Sequence, residues 1–382
     1  MSRFIYADVY SYGTFHEMYN ASSLKMFACI FDEVMYYASP SSHKVVLSIL
    51  QEMPENVSYK SVWTSNPKSR IGGILRYLIP VFTSIFILFR MKKNDVVFFN
   101  YNALWAMWVI NFIATYLKRR VIITCHGEME YLVNDTKLNF FSNKALHLFQ
   151  SNTFKVAPTL YVCCLGENIK KNLRKIVGAP FKYKFISFEH TCIFSKSVDK
   201  EENQDGIIRI GTVGGIRKEK GLFELMNFGK DLQTLGNMKL YAIGRVFCDP
   251  KDLTESGIHF IEGADKRLLD RSEIDSALAQ MDYLVFLYPK QSYNFIASGA
   301  LFDAINSEKY ILSLRNSYFD DFFENRAVVG KLFEDRSEII DFLLKYGNKV
   351  PYVDYEKIKY DLSPEKEASN ILKVLCDIGW YK

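Results

Sequence analysis

Short apolar segments that resemble β-strands alternate with helical patterns along this chain of 382 residues. A first series runs from Phe4–Val9 to residues 181–188, and a second series begins at residue 207. Between them, residues 195–206 (SKSVDKEENQDG) are polar and charged, which predicts a linker. Strands that alternate with helices predict mostly parallel, doubly wound sheets. We therefore predict two Rossmann-like α/β domains and a final helix, with bounds at 1–194, 207–362 and 363–382.

The second series opens with residues 206–225, whose sequence is GIIRIGTVGGIRKEKGLFEL. The two ends of this stretch predict a short strand and the start of an amphipathic helix. Between them, Gly214 and Gly215 allow close approach of a ligand, and Arg217 and Lys220 add positive charge beside a helix N-terminus. The stretch predicts a phosphate site, although it has neither the dinucleotide-binding nor the P-loop spacing. An ordinary strand-to-helix turn with solvated lysines is the alternative.

The composition narrows the class of protein. With 49% hydrophobic and 24% charged residues, the chain can bury a full core and is not disordered. A net charge of +5 argues against an extended nucleic-acid groove, so we predict no nucleic-acid partner. The seven cysteines lack the spacing of a zinc site or a disulfide framework, which predicts buried free thiols in a reducing cytoplasm. The N-terminus has no signal-peptide pattern, so we expect a cytoplasmic protein.

Residues 71–90 form a long apolar stretch that Arg76 and Pro80 interrupt. The unbroken part is shorter than the ~20 residues that span a bilayer, so we predict a helix buried in the N-terminal domain. The alternative is an interfacial helix at the inner face of the membrane, because basic residues flank the apolar face. These residues are Arg70, Arg76, Arg90, Lys92 and Lys93.

Two turns in the first half of the chain follow apolar strands. Gly13 precedes a helical pattern that extends to about Tyr37, and Lys44–Leu50 is predicted as the next strand. His126 and Glu128 follow a second apolar run, at the position where a strand ends. Ligands of such sheets bind at the carboxyl ends of the strands, so we expect the site between the two domains. A structural histidine and a solvated acid are the alternatives for His126 and Glu128.

These residues together resemble the GT-B glycosyltransferases, in particular the retaining family four. The segment GTVGGIRKEKG is similar to the family's glycine turn and Lys-Gly phosphate loop. The pair DYLVFLYP and SGALFDAINSEKYILS resembles the family's signature of strand, proline, acidic helix and strand. The segment ITCHGE is similar to its active-site His-Gly turn, and SYGTF to its N-terminal glycine loop. The resemblance implies two Rossmann-like domains that face across a cleft, with the final helix packed on the first domain.

The resemblance also implies roles for particular residues. Lys220 and Arg217 are expected at the donor diphosphate, and His126 at the donor sugar or the reacting face. Glu128 is the candidate on the acceptor side. Asp303 can accept hydrogen bonds from ribose hydroxyls, because its carboxylate keeps two acceptor oxygens. The predicted donor-binding residues are Gly13, Thr14, Gly214, Gly215, Gly244, Arg245, Tyr293, Asn294, Ser298, Gly299 and Asp303.

The implied reaction is transfer of a sugar from a nucleotide-sugar donor to a glycan or lipid-linked acceptor in cell-surface polysaccharide synthesis, with retention of configuration. No DxD motif follows a strand, and Asp320 and Asp321 are expected in a surface loop, so we predict no metal and no other cofactor. Phe295 replaces the first of the family's two glutamates. That change favours an altered donor sugar or, as the alternative, a non-catalytic GT-B subunit that stabilises a partner transferase. An epimerase is disfavoured because no added acid pair accompanies His126.

Overall fold

The computed structural model describes residues 3–66, 70–133, 140–195 and 205–381. Most of the predicted linker, residues 196–204, lies outside the described residues. The chain divides into two compact units. Unit 1 comprises Met1–Ile193, Phe295–Ala297 and Tyr360–Lys382, and unit 2 comprises Phe194–Asn294 and Ser298–Lys359.

Unit 1 contains a parallel sheet of seven strands in its described residues. The strands are β1 (Phe4–Asp8), β2 (Val34–Ala38), β3 (Val57–Ser61), β4 (Val96–Tyr101), β5 (Arg120–Thr124), β6 (Leu160–Leu165) and β7 (Phe185–Phe188). Their spatial order is β3-β2-β1-β4-β5-β6-β7. The helices between them are α1 (Glu17–Ala28), α2 (Pro40–Leu50), α3 (Arg70–Arg90), α4 (Ala106–Leu117), α5 (Phe140–Leu148), α6 (Glu167–Ile176) and α7 (Ala179–Lys182).

Unit 2 contains a second parallel sheet, with six strands in the part that the structure describes. They are β8 (Ile208–Val213), β9 (Met238–Ile243), β10 (Ile258–Phe260), β11 (Tyr283–Phe286), β12 (Tyr310–Leu314) and β13 (Gly330–Phe333), in the order β10-β9-β8-β11-β12-β13. The remaining helices are α8 (Leu222–Gln233), α9 (Pro250–Glu255), α10 (Arg271–Ala279), α11 (Gly299–Asn306), α12 (Ser317–Asn325), α13 (Arg336–Tyr346), α14 (Tyr355–Asp361) and α15 (Pro364–Asp377). The prediction of two doubly wound parallel sheets is confirmed.

Both faces of the unit 1 sheet are covered. Along β1, Ile5 and Ala7 belong to one hydrophobic cluster, and Phe4 and Tyr6 belong to the cluster on the opposite face. Successive side chains of a strand point to opposite faces, so a strand buried on both sides is an unbroken apolar run. Helix α15 packs against α1 and contributes Ile371 and other apolar residues to the cluster of Phe4.

Two predicted elements near the N-terminus are wrong. The predicted helix up to Tyr37 ends at Ala28, and residues 34–38 form β2, in which Tyr36 pairs with Tyr6 of β1. The predicted strand at Lys44–Leu50 is the second half of α2. That helix starts where Ser39 accepts a hydrogen bond from the Ser42 backbone N–H, with a proline in the first turn.

Other predictions also need correction. Asp320 and Asp321 lie in helix α12, which Asn316 caps, and not in a loop. Four of the seven cysteines are buried as expected, whereas Cys29 and Cys376 are exposed. Helix α3 is buried on one side only, since Phe82 is 67% exposed and Leu88 is fully buried. Over Ile71–Arg90 this helix is long and apolar enough to cross a membrane by length and composition alone.

Each sheet has one point where the strand order reverses, between β1 and β4 in unit 1 and between β8 and β11 in unit 2. Loops that leave such neighbouring strands in opposite directions open a crevice at the carboxyl ends of the strands. Gly13 follows β1, and residues 214–221 follow β8. The fold therefore directs attention to these two loops.

Candidate functional site

The loop after β8 borders an open recess of about 230 Å³ in unit 2. Gly215, Arg217 and Lys220 line it from the loop, and Tyr288 lines it from the segment after β11. The recess therefore lies where the strand order reverses, the usual ligand position in a sheet of this kind. The sequence predicted the three loop residues, whereas Tyr288 had no recognisable signal.

Lys220 extends its ammonium group toward two tyrosine rings. Its Nζ lies 5.6 Å from the ring centre of Tyr288 and 6.0 Å from that of Tyr293, and the two rings stack 4.4 Å apart. Lys220 forms no ion pair with any described residue. Arg217 is half exposed, and its Nε lies 3.9 Å from Glu219. The recess thus holds one partly buried cation without a carboxylate partner and one cation at its rim.

Glycines are required where the backbone around Lys220 is most crowded. Gly214 has a φ of 103°, and a Cβ there would lie 2.8 Å from the Lys220 Nζ. Gly221 has a φ of 79°, and its Cβ would lie 1.8 Å from the Leu287 carbonyl oxygen. Only glycine adopts such a conformation without strain. Gly244 is needed for backbone packing, because its Cβ would lie 2.1 Å from the Gly214 carbonyl oxygen.

Arg245, another predicted donor residue, stacks on an exposed aromatic ring. Its guanidinium carbon lies 5.1 Å from the centre of the Phe247 ring, which is 56% exposed. A Cβ at Gly215 would lie 3.1 Å from the same ring. Phe247 thus lies beside the loop that lines the recess. Sequence reasoning missed Phe247, since nothing local separates it from an ordinary surface aromatic.

Asp303 is paired with a cation that the sequence did not indicate. The Arg271 Nη1 lies 2.5 Å from Asp303 Oδ1, and Nη2 lies 2.7 Å from Asp275. Burial raises the pKa of Asp303, and the guanidinium of Arg271 opposes that shift. The Asp303 side chain is 26% exposed, so an oxygen can still accept a hydrogen bond from a ligand. Arg271 fixes the orientation of this carboxylate.

The segment before α11 divides between the two units. Tyr293 is buried with a left-handed φ of 62°, and Asn294 donates to the Gln291 carbonyl oxygen at 2.7 Å. Ser298 is buried at the start of α11, and Gly299 is exposed in its first turn.

Phe295 belongs to the core of unit 1, and its backbone N–H donates to Glu130 at 2.9 Å. The resemblance implies that this loop faces the donor sugar, and that role stays a prediction. The apolar residues Phe295–Ala297 are grouped with unit 1.

In unit 1, His126 lies at the end of β5 within a cluster of aromatic rings. Its Nε2 lies 2.8 Å from the Asn100 carbonyl oxygen, which orients the ring toward the end of β4. The exposed His16 stacks on it with ring centres 4.7 Å apart, and Tyr19 and Tyr101 contact it edge-on. Glu128 accepts a hydrogen bond from the His126 backbone N–H at 3.0 Å, so it shapes the turn.

The glycine loop after β1 lies near this cluster. Gly13 donates its N–H to Ser41 Oγ at 3.2 Å, and Thr14 is exposed. A second recess, of about 330 Å³, lies beyond β4 and β5. It is mainly apolar, with Met107 and Phe149 among its lining residues and Glu128 as its one acid.

Solved structures show what architecture this arrangement belongs to. The chain aligns with Anabaena HepE in complex with UDP and glucose at a TM-score of 0.61 and 10% identity, covering 98% of this chain and 99% of HepE. It aligns with the lipopolysaccharide outer core galactosyltransferase WaaB at 0.57 and 12% identity, covering 98% and 99%. The chain has the GT-B fold.

A domain of a protein with a different name shares this architecture. The N-terminal domain of Candida albicans trehalose-6-phosphate phosphatase aligns at a TM-score of 0.56 and 7% identity, covering 99% of this chain and 97% of that one. No protein-family model and no curated protein matches the sequence. At these identities the similarity establishes the fold, and function has to be argued from the site.

Within the GT-B architecture, eleven of the predicted residues fall into three groups. Gly214, Gly215, Arg217 and Lys220 come together around the unit 2 recess. The unit 1 group surrounds the end of β5 and the loop after β1, and it consists of Gly13, Thr14, His126 and Glu128. Asp303, Ser298 and Gly299 lie on α11 and its cap; this helix contacts β8, and the charge of Lys220 acts to lower the pKa of Asp303. Their roles toward a ligand stay predictions.

Acid should destabilise unit 1 through its histidines. Burial lowers the pKa of His126, and it lowers that of His190 to about 3. The unfolded chain takes up protons below about pH 6.5 that these folded histidines do not bind, so the free energy of unfolding falls as pH drops from 6.5 toward 3. The slope is up to about 1.4 kcal/mol per pH unit for each histidine. Asp8 acts in the opposite direction, because burial raises its pKa to about 6. Below that pH the folded protein binds a proton at Asp8 that the unfolded chain does not, which offsets the effect of one histidine.

Urea unfolding measured between about pH 7 and pH 5 tests this expectation. In His190→Gln, the slope of the free energy of unfolding against pH should decrease by the amount that corresponds to about one proton. This holds whatever the substitution does to stability at neutral pH. His147→Gln is the matched control, because His147 is exposed on α5. An unchanged slope in the His190 variant would contradict the assignment.

Proposed function

We propose that this protein is a glycosyltransferase that takes its sugar from a nucleotide-sugar donor. The observation that carries the proposal is the glycine-lined recess at the strand reversal of unit 2, with Lys220 beside it and no carboxylate partner. A diphosphate is the natural partner of a partly buried cation that lies beside aromatic rings and close to a helix N-terminus. Two proteins that share the fold support the proposal: HepE, which was solved with UDP and glucose, and WaaB, which is a galactosyltransferase.

In the proposed reaction, the bond between the sugar C1 and the diphosphate oxygen breaks while a bond from C1 to the acceptor oxygen forms. The acceptor proton passes to the departing phosphate oxygen, so no enzyme nucleophile is required and configuration is retained. Lys220 and Arg217 stabilise the negative charge that develops on the leaving group. His126 acts at the sugar or the reacting face. Asp303, held by Arg271, accepts hydrogen bonds from the ribose hydroxyls.

The unit 1 recess supports a proposal for the acceptor class. Its apolar lining beside Glu128 suits a glycan or lipid-linked acceptor with an apolar part. Such an acceptor is consistent with cell-surface polysaccharide synthesis in the cytoplasm or at the inner face of the membrane. We also propose that no divalent metal takes part, so turnover should be unchanged in EDTA.

A second candidate function is a non-catalytic GT-B subunit that stabilises a partner transferase. The observation that favours it is Phe295, which stands in place of a family glutamate and is buried in the core of unit 1. A scaffold without a ligand has no use for an unpaired cation in a glycine-lined recess. The two candidates therefore differ in whether the protein binds a nucleotide.

A thermal-shift panel with UDP, GDP, dTDP, ADP and CMP distinguishes them. Binding to the folded state alone raises the unfolding midpoint, and a ligand at 100 times its Kd adds about 2.7 kcal/mol. We expect one nucleotide to raise the midpoint, with UDP the first to test, and the corresponding nucleoside to have no effect. Asp303→Asn should weaken the ribonucleotide more than its 2′-deoxy analogue. No shift with any nucleotide would favour the non-catalytic subunit.

A further inference from the structure

Helix α3 carries an apolar stripe that is open to solvent. Its members recur every three or four residues, so they lie along one side of the helix. Four of them are more than 60% exposed: Ile71, Ile74, Phe82 and Phe89. Leu78 and Phe86, between them, are 40% and 44% exposed. We call these six residues the α3 stripe.

The other side of α3 belongs to the core of unit 1. Val81, Ile87 and Leu88 are buried in the cluster that also contains the side chains of α4. Of the most apolar part of the helix, 39% is buried. Insertion of α3 across a bilayer would expose that core, so the folded unit can offer only the α3 stripe to lipid.

Helix α4 adds to the exposed apolar surface of this region. It packs against α3, and the Trp105 Nε1 before α4 donates to the Tyr77 carbonyl oxygen of α3 at 2.7 Å. On its solvent side, Phe112 is 61% exposed and Tyr116 is 71% exposed, with ring centres 4.6 Å apart. Exposed apolar groups on two neighbouring helices mark an interaction surface.

The segment that contains α3 and α4 has a large excess of basic over acidic residues. Residues 56–127 contain ten lysines and arginines and a single acid, Asp95, although the whole chain has 48 basic and 43 acidic residues. Asp95 is buried and paired with Arg3 at 2.6 Å, so its charge is compensated. The region is therefore far more positive than the rest of the protein.

Four exposed basic residues lie at one end of the two helices, whereas Lys60 is exposed on β3. Arg90, Lys92 and Lys93 follow the α3 stripe, and Lys118 follows α4. Both helices follow strands of one parallel sheet, so their carboxyl ends lie at the same edge. The Arg90 guanidinium stacks on the Phe86 ring at 4.1 Å, so the basic end is in direct contact with the α3 stripe. Arg76, predicted as a flanking anchor, instead lies over the Tyr10 ring.

We infer that α3 and α4 form a docking surface for an anionic phospholipid bilayer. The α3 stripe enters the boundary between headgroups and acyl chains, and the basic end contacts lipid phosphates. Charge complementarity favours lipid over a second copy of this chain, which would bring the same positive surface against it. The inference does not depend on the proposed enzyme activity, because it concerns binding to a surface.

Co-sedimentation of the full chain with phosphatidylcholine vesicles, with and without phosphatidylglycerol, tests the inference. We expect binding to the anionic vesicles that weakens as salt is added. The triple variant Phe82→Ser/Phe86→Ser/Phe89→Ser and the double variant Lys92→Glu/Lys93→Glu should each bind at least about tenfold more weakly. Unfolding midpoints near that of the wild type would show that the variants are folded.

The matched control for charge is Lys44→Glu/Lys373→Glu, which changes the net charge equally at two exposed lysines of α2 and α15, the helices that cover the opposite face of the unit 1 sheet. This control should bind as the wild type does. The inference would be overturned if the wild-type protein does not bind anionic vesicles. It would also be overturned if the triple phenylalanine variant binds them as the wild type does. Light scattering that shows a dimer dissociated by the phenylalanine substitutions, without vesicle binding, would assign the surface to a second copy.

Discussion

Replacing Lys220 by alanine is expected to lower the rate of donor turnover about 100- to 1000-fold, the range found when one preorganised group at a developing negative charge is removed. Lys220 has no ion pair among the described residues and lies beside two stacked tyrosine rings. Its charge is therefore available to a departing diphosphate and poorly screened by solvent. Release of nucleoside diphosphate from the donor, with or without acceptor, measures the effect.

The matched control is Lys218→Ala, which removes an exposed lysine from the same short turn. It should change turnover by less than about twofold, because an exposed charge is screened by solvent. The Lys220 variant should also lose the thermal shift caused by the nucleotide while it keeps the unfolding midpoint of the ligand-free protein. Normal turnover in Lys220→Ala would place the donor elsewhere.

Gly221→Ala is expected to destabilise unit 2 by about 4 kcal/mol, a loss that single substitutions reach only by strain, cavities or buried polar groups. Gly221 joins the turn that carries Lys220 to helix α8. An added Cβ would lie 1.8 Å from the Leu287 carbonyl oxygen, so the backbone after β11 would have to move. Because Tyr288 is the next residue, the recess would be distorted as well. Urea unfolding of the full chain measures the loss.

Gly236→Ala separates the cost of the left-handed backbone conformation from the cost of the clash with Leu287. Gly236 has a left-handed φ of 71°, close to that of Gly221, but nothing lies within 4 Å of the position of its Cβ. The control should therefore show only the cost of the conformation, about 1 to 2 kcal/mol. An equal loss of stability in the two variants would mean that the backbone around Leu287 moves away from the added Cβ at little cost.

The sequence predicted the loop around Lys220 because its cause is local. Glycines, a strand that ends and a helix that begins are all contained in residues 206–225. The same holds for His126, which follows the apolar run of β5 directly. Where one segment contains both the geometry and the chemistry, short-range rules are sufficient.

The sequence failed where a partner comes from a distant segment. Arg271 lies 32 residues before Asp303, and nothing near either residue indicates their ion pair. Residues 44–50 have an apolar pattern that is compatible with a strand or a helix. The N-cap at Ser39 favours the helix. Phe295 lies between two segments of unit 2 in the chain but packs in unit 1. The ion pair and the placement of Phe295 depend on long-range packing. The cap at Ser39 is a local signal that the sequence interpretation overlooked.

The sequence by itself determined the two α/β sheets, their order along the chain and the cationic glycine loop, since alternation and turn chemistry are local properties. Only the tertiary structure decided which strands are neighbours at the two reversals, and so which loops meet at a recess. It also decided that one side of α3 stays in solvent while the other enters the core. Burial depends on what the rest of the chain places beside a residue, and no single segment contains that information.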